Sequence, residues 1–164
     1  MQRHAALVLF VLICGVLVLD VARYLPLVPD PMASHFGLSG RPNGWSSHFR
    51  MIAGLTVLVL VFAAIFAATF FFSRVPDRLI SLPNKTYWLA PERREATLLY
   101  VSAWQRWFLV LTVAFITLLV GLTFRANLRT PPQLSVAALG VLVIYLVVAV
   151  TMIVTLVMRL HRPS

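Results

Sequence analysis

Four long apolar runs hold most of the hydrophobic residues of this chain, and Arg23, near the end of the first run, is the only Lys or Arg in any of them. The hydrocarbon layer of a membrane is about 30 Å thick, and a helix rises about 1.5 Å per residue. About 20 apolar residues are therefore needed to cross it, and each run is close to that length or longer. We predict four membrane-spanning helices, at residues 5–25, 51–73, 107–124 and 134–158.

The composition supports an integral membrane protein. Of 164 residues, 60% are hydrophobic and 12% are charged, which leaves too little polar surface to cover a soluble domain of that size. The predicted fold class is all-α, an integral membrane four-helix bundle in which residues 1–164 form one domain. The net charge of +9 does not indicate nucleic acid, because the basic residues lie at helix ends, next to lipid headgroups. Cys14 is the single cysteine, so no disulfide within the chain is expected, and no cofactor is predicted.

The basic residues are unevenly divided between the two sides of such a bundle. Nine Lys and Arg residues, Arg3 and Arg162 among them, lie in the terminal segments and the middle loop, residues 74–106. Five lie at the other side, which carries the loops 26–50 and 125–133. Because positive charge favours the cytoplasmic side, the bias predicts an N-in/C-in orientation with a cytoplasmic loop at 74–106 and an outer loop at 26–50.

The second predicted helix has two chemically different faces. Small residues allow helix backbones to approach closely inside a membrane, so we expect the alanine face to pack against the bundle and the phenylalanine face to meet lipid. The alanine face consists of Ala63, Ala64, Ala67 and Ala68, and the phenylalanine face of Phe62, Phe66 and Phe70.

Asp20 is the only acidic residue inside a predicted span, three positions before Arg23. An ionisable group at this depth is costly unless it is paired, and it is a candidate functional residue. The i, i+3 spacing places both residues on one helix face, so a local ion pair is one interpretation. A role in binding a proton or ligand is the other.

The outer loop shows neither helical nor strand periodicity. Its Pro and Gly residues divide the chain into turns, and residues 41–44 have Pro at the second and Gly at the fourth position of a tight turn. We therefore expect an ordered but irregular loop. Asp30, His35 and His48 are its possible metal ligands, but their spacings of five and thirteen match no closed metal motif, and no metal site is predicted. His35 can instead donate to loop carbonyls or lipid phosphate, or bind a partner in a pH-sensitive way.

Two strings of this sequence resemble a known family. The first comprises Leu25-Pro26, Val28-Pro29-Asp30, Ala33-Ser34-His35-Phe36, Gly40 and Pro42-Asn43-Gly44-Trp45, and the second is the middle-loop string from Leu82 to Glu95. Together they resemble a bacterial membrane protein family of unknown function that is similar to the N-terminal domain of SdpI-type immunity proteins. Asn43 and His48 depart from the family, in which many members have Asp and Lys. The resemblance implies a membrane location, and SdpI-type members protect against a secreted peptide toxin.

The cytoplasmic loop is predicted to divide at Pro91. Pro at a first helical position, followed by Glu92 and Glu95, predicts a helix start that can run on into the third span. The preceding aromatic residues would anchor the loop at the membrane interface. One interpretation is a surface that docks a partner or anionic lipid, and the other is a solvated connector in which the two Glu side chains pair locally with basic neighbours. The candidate docking residues are Lys85, Tyr87, Trp88, Arg93 and Arg94.

The candidate catalytic groups lie on opposite membrane faces, which argues against an enzyme. We therefore expect a non-catalytic multi-pass protein of the bacterial cytoplasmic membrane that binds or senses a ligand or peptide at its outer face. Its expected partners are the bilayer with its anionic headgroups and a peptide or protein, and a homo-oligomer is compatible with the sequence. The alternative is a membrane enzyme or carrier that acts on a lipid or peptide through Asp20, Asp30 and His35. The predicted ligand-binding residues are Asp20, Asp30, His35, Phe36, Asn43 and Trp45.

Overall fold

The computed structural model describes residues 2–161, with only the backbone of Gln2 and Arg3. The side chain of Arg3 and the whole of Arg162, both counted in the charge bias, lie outside this part. Four of its helices have the length and hydropathy needed to cross a membrane, so the chain is a mostly helical, multi-pass membrane protein. These helices are α1 (Gln2–Tyr24), α2 (His48–Ala68), α4 (Pro91–Asn127) and α5 (Ala137–His161), and α3 is a short helix at Lys85–Trp88.

The remaining elements are short and lie between the helices. Strands β1 (Met32–Phe36) and β2 (Pro42–Ser46) form an antiparallel hairpin between α1 and α2. Single 3-10 turns follow α1 at Leu25–Leu27 and precede α3 at Phe72–Arg74 and Asp77–Leu79. We call the end of the bundle that carries β1 and β2 the hairpin end, and the opposite end, with residues 69–90, the loop end.

Helix α4 is the longest element and the centre of the bundle. It begins at Pro91, as predicted, and continues for 37 residues, so the third span is only part of a longer helix. Arg106 lies inside it and is 3% exposed. Its guanidinium stacks over Phe70 and lies 3.5 Å from the carbonyl of Thr69, where α2 ends. A cation at this position complements the negative end of the α2 dipole.

Helices α1 and α4 run parallel and pack along their lengths. Near the loop end, Phe10 of α1 packs with Val110 and Val113 of α4. Near the hairpin end, the ring of Tyr24 stacks on that of Phe124 at 6.2 Å. Helix α5 lies on another side of α4, where the Trp104 indole N–H donates to the carbonyl of Met152 at 3.0 Å. The same two helices are joined by the stacked rings of Phe115 and Tyr145.

The prediction for the two faces of α2 is wrong for Phe66, Ala67 and Ala68. Phe66 is 2% exposed and stacks on Phe10 at 4.5 Å, whereas Ala67 and Ala68 are exposed. Toward the hairpin end, α1 and α2 are separated by an apolar groove of about 390 Å³, so α2 joins the bundle through its loop-end half. Large rings fill most of that contact, and Ala63 is the residue of the alanine face that packs there as predicted.

Candidate functional site

The outer loop contains a β-hairpin, which the sequence analysis did not predict. Strand β1 pairs with β2 from Met32–Ser46 to Phe36–Pro42, with two register shifts between. The turn is formed by residues 37–41, where the Gly37 N–H donates to the Arg41 carbonyl at 2.9 Å. The predicted turn at 41–44 is therefore wrong, because Pro42 begins β2. The register shifts place two residues of one strand against one of the other, which hides the alternation that strands usually show.

Asn127, at the end of α4, fastens the hairpin to the bundle. Its side-chain oxygen accepts the Ala33 N–H at 2.7 Å, and its side-chain nitrogen donates to the Ala33 carbonyl at 2.8 Å. The same nitrogen donates to the carbonyl of Thr123 at 2.9 Å. Asn127 is 4% exposed and Ala33 is 0% exposed, so the amide replaces a neighbouring strand in a buried position. Sequence reasoning missed Asn127, whose only signal is a polar amide three residues after the end of an apolar run.

Gly40 fastens the tip of the hairpin to the segment before α5. Its carbonyl accepts the Leu134 N–H at 2.9 Å. Gly40 has φ +76°, and a Cβ atom there would lie 2.6 Å from the Leu134 carbonyl oxygen. Glycine is required at this position because the backbone is left-handed and the neighbouring chain is in direct contact.

The attached hairpin leaves several predicted ligand-binding residues at its surface. His35, Asn43 and Trp45 are exposed, and Phe36 is half-buried. The Trp45 side chain is 54% exposed, which is unusual for an indole in an ordered strand. His35 lies against Gly44, and its Nδ1 is 3.0 Å from the Ser34 hydroxyl. Polar and aromatic groups are thus presented together on a fixed backbone.

Asp30 has a structural partner. Its carboxylate accepts the His48 backbone N–H at 3.1 Å, at the first residue of α2, where the helix dipole favours a negative charge. The His48 ring nitrogen Nε2 lies 3.1 Å from the Pro29 carbonyl. These contacts hold the start of the loop against the start of α2. Within residues 2–161, no group of three or more His, Cys, Asp or Glu side chains is arranged to hold a metal ion.

Asp20 lies apart from the hairpin, inside the bundle. Its carboxylate faces α4, where an added Cβ at Gly121 would be 3.0 Å from Asp20 Oδ2. Arg23 instead stacks over the Tyr24 ring at 5.4 Å. The described part of the chain has a single ion pair, between Arg94 and Asp77, so the predicted pair of Asp20 with Arg23 is wrong. Because Gly121 has no side chain, the Asp20 carboxylate has space to point toward α4 and away from Arg23 in its own helix.

The predicted docking residues of the loop end have separate roles. The Trp88 indole N–H donates to the Leu160 carbonyl at 2.7 Å, at the end of α5. Arg93 stacks over the Tyr87 ring at 4.0 Å. Lys85 lines a shallow depression with Asp77.

Arg94 is the basic residue of this region that forms an ion pair. Its Nε atom donates to Asp77 at 2.8 Å, and its terminal nitrogens donate to the carbonyls of Ser73 and Val75. The expected local pairing of Glu92 and Glu95 with basic neighbours is therefore wrong for the described residues, because Arg94 reaches back across the loop instead.

Comparison with known proteins gives one match. Residues 10–60 match the family model of a domain of unknown function, DUF1648. The match covers most of α1, the hairpin and the first half of α2, so it includes the candidate ligand-binding surface and leaves out α4 and α5. No curated protein and no solved structure matches the chain.

Proposed function

We propose that this protein is a non-catalytic membrane protein that binds or senses a ligand or peptide through its hairpin. The observation that carries the proposal is the attachment of an exposed surface to a fixed frame. Asn127 and Gly40 hold the hairpin at both its base and its tip, while His35, Asn43 and Trp45 remain exposed. A pre-ordered surface with an accessible indole loses little conformational entropy when a partner binds.

The charge bias supports an outward-facing hairpin. Nine basic residues belong to the side with the termini and the loop end, against five at the hairpin end. We propose that the protein lies in a bacterial cytoplasmic membrane with both termini inside, and that its role is immunity- or signalling-like, by analogy with SdpI-type proteins. The binding role needs no catalytic group, and Asp30 is already engaged at the start of α2.

A cysteine-labelling experiment tests the orientation. Cys14 is replaced by Ser, and single cysteines are introduced by Ser39→Cys in the hairpin turn and Ser81→Cys at the loop end, both at exposed positions. A membrane-impermeant maleimide added to intact cells should label the first variant and spare the second until the cells are broken. Labelling of Ser81→Cys alone in intact cells would reverse the orientation and remove the proposed outer surface.

Photo-crosslinking tests the binding surface. A benzophenone amino acid replaces Trp45 in the hairpin or, as a control, Phe49 in the first turn of α2, where the ring is 79% exposed at the same end of the bundle. Illumination of intact cells should join a peptide or protein to position 45 and only lipid to position 49. The same products at both positions would contradict the proposal, and so would lipid alone at position 45.

A further inference from the structure

A small pocket lies at the loop end, between α3, the first turns of α4 and the last turn of α5. Its volume is about 120 Å³, which corresponds to about four water molecules at ~30 Å³ each, and this is sufficient for a phosphate group. The residues around it that carry the argument are Trp88, Arg93, Thr97, Tyr100 and Arg159.

Both guanidinium groups at the pocket are positioned by aromatic rings. Arg159 lies 3.8 Å from the centre of the Tyr100 ring, and Arg93 lies 4.0 Å from that of Tyr87. Stacking uses the face of a guanidinium and leaves its in-plane N–H groups available. Arg93 donates through Nε to the Tyr87 carbonyl at 3.1 Å. Its terminal N–H groups, and all those of Arg159, form no hydrogen bond with the described residues.

Thr97 adds a hydroxyl to the wall of the same pocket. The residue is 7% exposed, and its side chain forms no hydrogen bond with residues 2–161. The hydroxyl oxygen itself keeps some solvent access, so it can bond to a group that enters the pocket. The hydroxyl and the two guanidiniums therefore supply unused donors to one small space.

The pocket carries positive charge, and no carboxylate among residues 2–161 lines it. Glu92 and Glu95 are the nearest acidic residues in sequence, and neither forms an ion pair with a described residue. Arg159 directly follows Met158, the last residue of the fourth apolar run, so the pocket lies at the level of the lipid headgroups. We propose that this pocket binds the phosphate group of an anionic phospholipid, with Arg93 and Arg159 as the charged ligands and Thr97 as a hydrogen-bond partner. This site is at the opposite end from the hairpin and does not depend on the hairpin's function.

Native mass spectrometry of the purified full chain tests this proposal. The protein is mixed with phosphatidylglycerol or with phosphatidylcholine of the same acyl chains, and the bound lipid is counted for each. The wild type should bind phosphatidylglycerol more tightly. The double variant Arg93→Gln/Arg159→Gln should lose about tenfold or more in this affinity, since two charge-assisted hydrogen bonds are removed.

The matched control is Arg74→Gln/Arg78→Gln, which removes the same charge from exposed positions at the same end. Neither residue lines the pocket. The affinity of this control variant for phosphatidylglycerol should therefore change by less than about twofold, as expected for screened surface charges. Equal losses in the two double variants would overturn a specific site. Equal binding of the two lipids by the wild type would overturn it as well.

Two further measurements keep the result independent of folding and of the phosphate source. Thr97→Val keeps the side-chain shape. It should lower the affinity for phosphatidylglycerol about threefold, because one hydrogen bond is lost, and it should not change the melting temperature. Unchanged affinity in this variant would remove Thr97 from the site. Inorganic phosphate should compete weakly with the lipid in the wild type, and binding of inorganic phosphate without any preference for phosphatidylglycerol would overturn the lipid as the ligand.

Discussion

Both ends of the bundle are held by side-chain N–H groups that donate to backbone carbonyls, but they secure different structures. At the hairpin end, the Asn127 amide both donates to and accepts from Ala33, as a neighbouring strand would. At the loop end, Trp88 and Asn84 only donate, to the last carbonyls of α5. A strand edge offers donors and acceptors, whereas a helix C-terminus offers only acceptors. The strand edge therefore needs a side chain such as the Asn127 amide, which both donates and accepts, whereas the helix end needs only donors, which the Asn84 amide and the Trp88 indole both supply.

The largest expected effect is at the hairpin end, with Asn127→Leu. The substitution leaves the Ala33 N–H and carbonyl buried without partners, which should lower the free energy of unfolding by about 2–4 kcal/mol. Thermal unfolding in detergent measures the loss, and chymotrypsin cleavage after Phe36 should become faster. Asn43→Ala, which truncates an exposed amide of the same hairpin, should change neither. Similar behaviour of the two variants would show that Asn127 does not hold the hairpin.

A second substitution at this end, Gly40→Ala, should lower the free energy of unfolding by about 2 kcal/mol. The added methyl group meets the Leu134 carbonyl at 2.6 Å, and the backbone there is left-handed. Gly54→Ala is the control, since an added Cβ there has no atom within 4 Å, and it should leave the melting temperature unchanged or slightly higher. Equal melting temperatures for the two variants would mean that the hairpin tip is not attached to the segment before α5.

At the loop end, Trp88→Phe should lower the free energy of unfolding by about 1 kcal/mol. The substitution removes one hydrogen bond to the Leu160 carbonyl and keeps an aromatic ring at the position. Hydrogen exchange should become faster in the last turn of α5 and stay unchanged in the hairpin. Trp45→Phe, at an exposed indole, is the control and should alter neither region. Faster exchange in the hairpin of Trp88→Phe would show that the two ends are not independently held.

The smallest effect is expected for the ion pair of Arg94 with Asp77. The side chains of Arg94 and Asp77 are 32% and 46% exposed, so solvent screens the pair. Asp77→Asn should therefore lower the free energy of unfolding by less than about 1 kcal/mol. Arg94→Gln should cost more, since it also removes the donors to Ser73 and Val75. Chemical denaturation of the two variants measures the difference. Equal costs would assign the whole effect to the ion pair and none to the loop carbonyls.

The sequence was sufficient to predict features that depend on residues adjacent in the chain. Apolar runs predicted the four spanning helices, and Pro91 predicted the start of α4. The outer-loop sequence, through its residue types and its family resemblance, also pointed to His35, Asn43 and Trp45, which lie at the hairpin surface. That they bind a ligand remains a prediction.

Features that depend on contacts between distant residues could not be predicted. Asn127 bonds to Ala33 across 94 residues, and Trp88 bonds to Leu160 across 72. The orientation of α2 was mispredicted for the same kind of reason. Whether alanines or rings face inward depends on the distance to the neighbouring helix, and no pattern within α2 records that distance. Asp20 likewise turned toward Gly121 in α4 and not toward Arg23 in its own helix.

The uninterrupted course of α4 has a mechanical consequence. At 1.5 Å per residue its 37 residues form a rod about 55 Å long, which exceeds the membrane's hydrocarbon thickness. Asn127 binds the hairpin at one end of this rod, and Arg93 and Thr97 line the proposed phosphate pocket near the other end. A tilt of 5° about the midpoint would displace each tip by roughly 2.4 Å in opposite directions. If α4 moves as one rigid body, we therefore expect a displacement at the hairpin to be accompanied by a displacement of comparable size at the pocket residues.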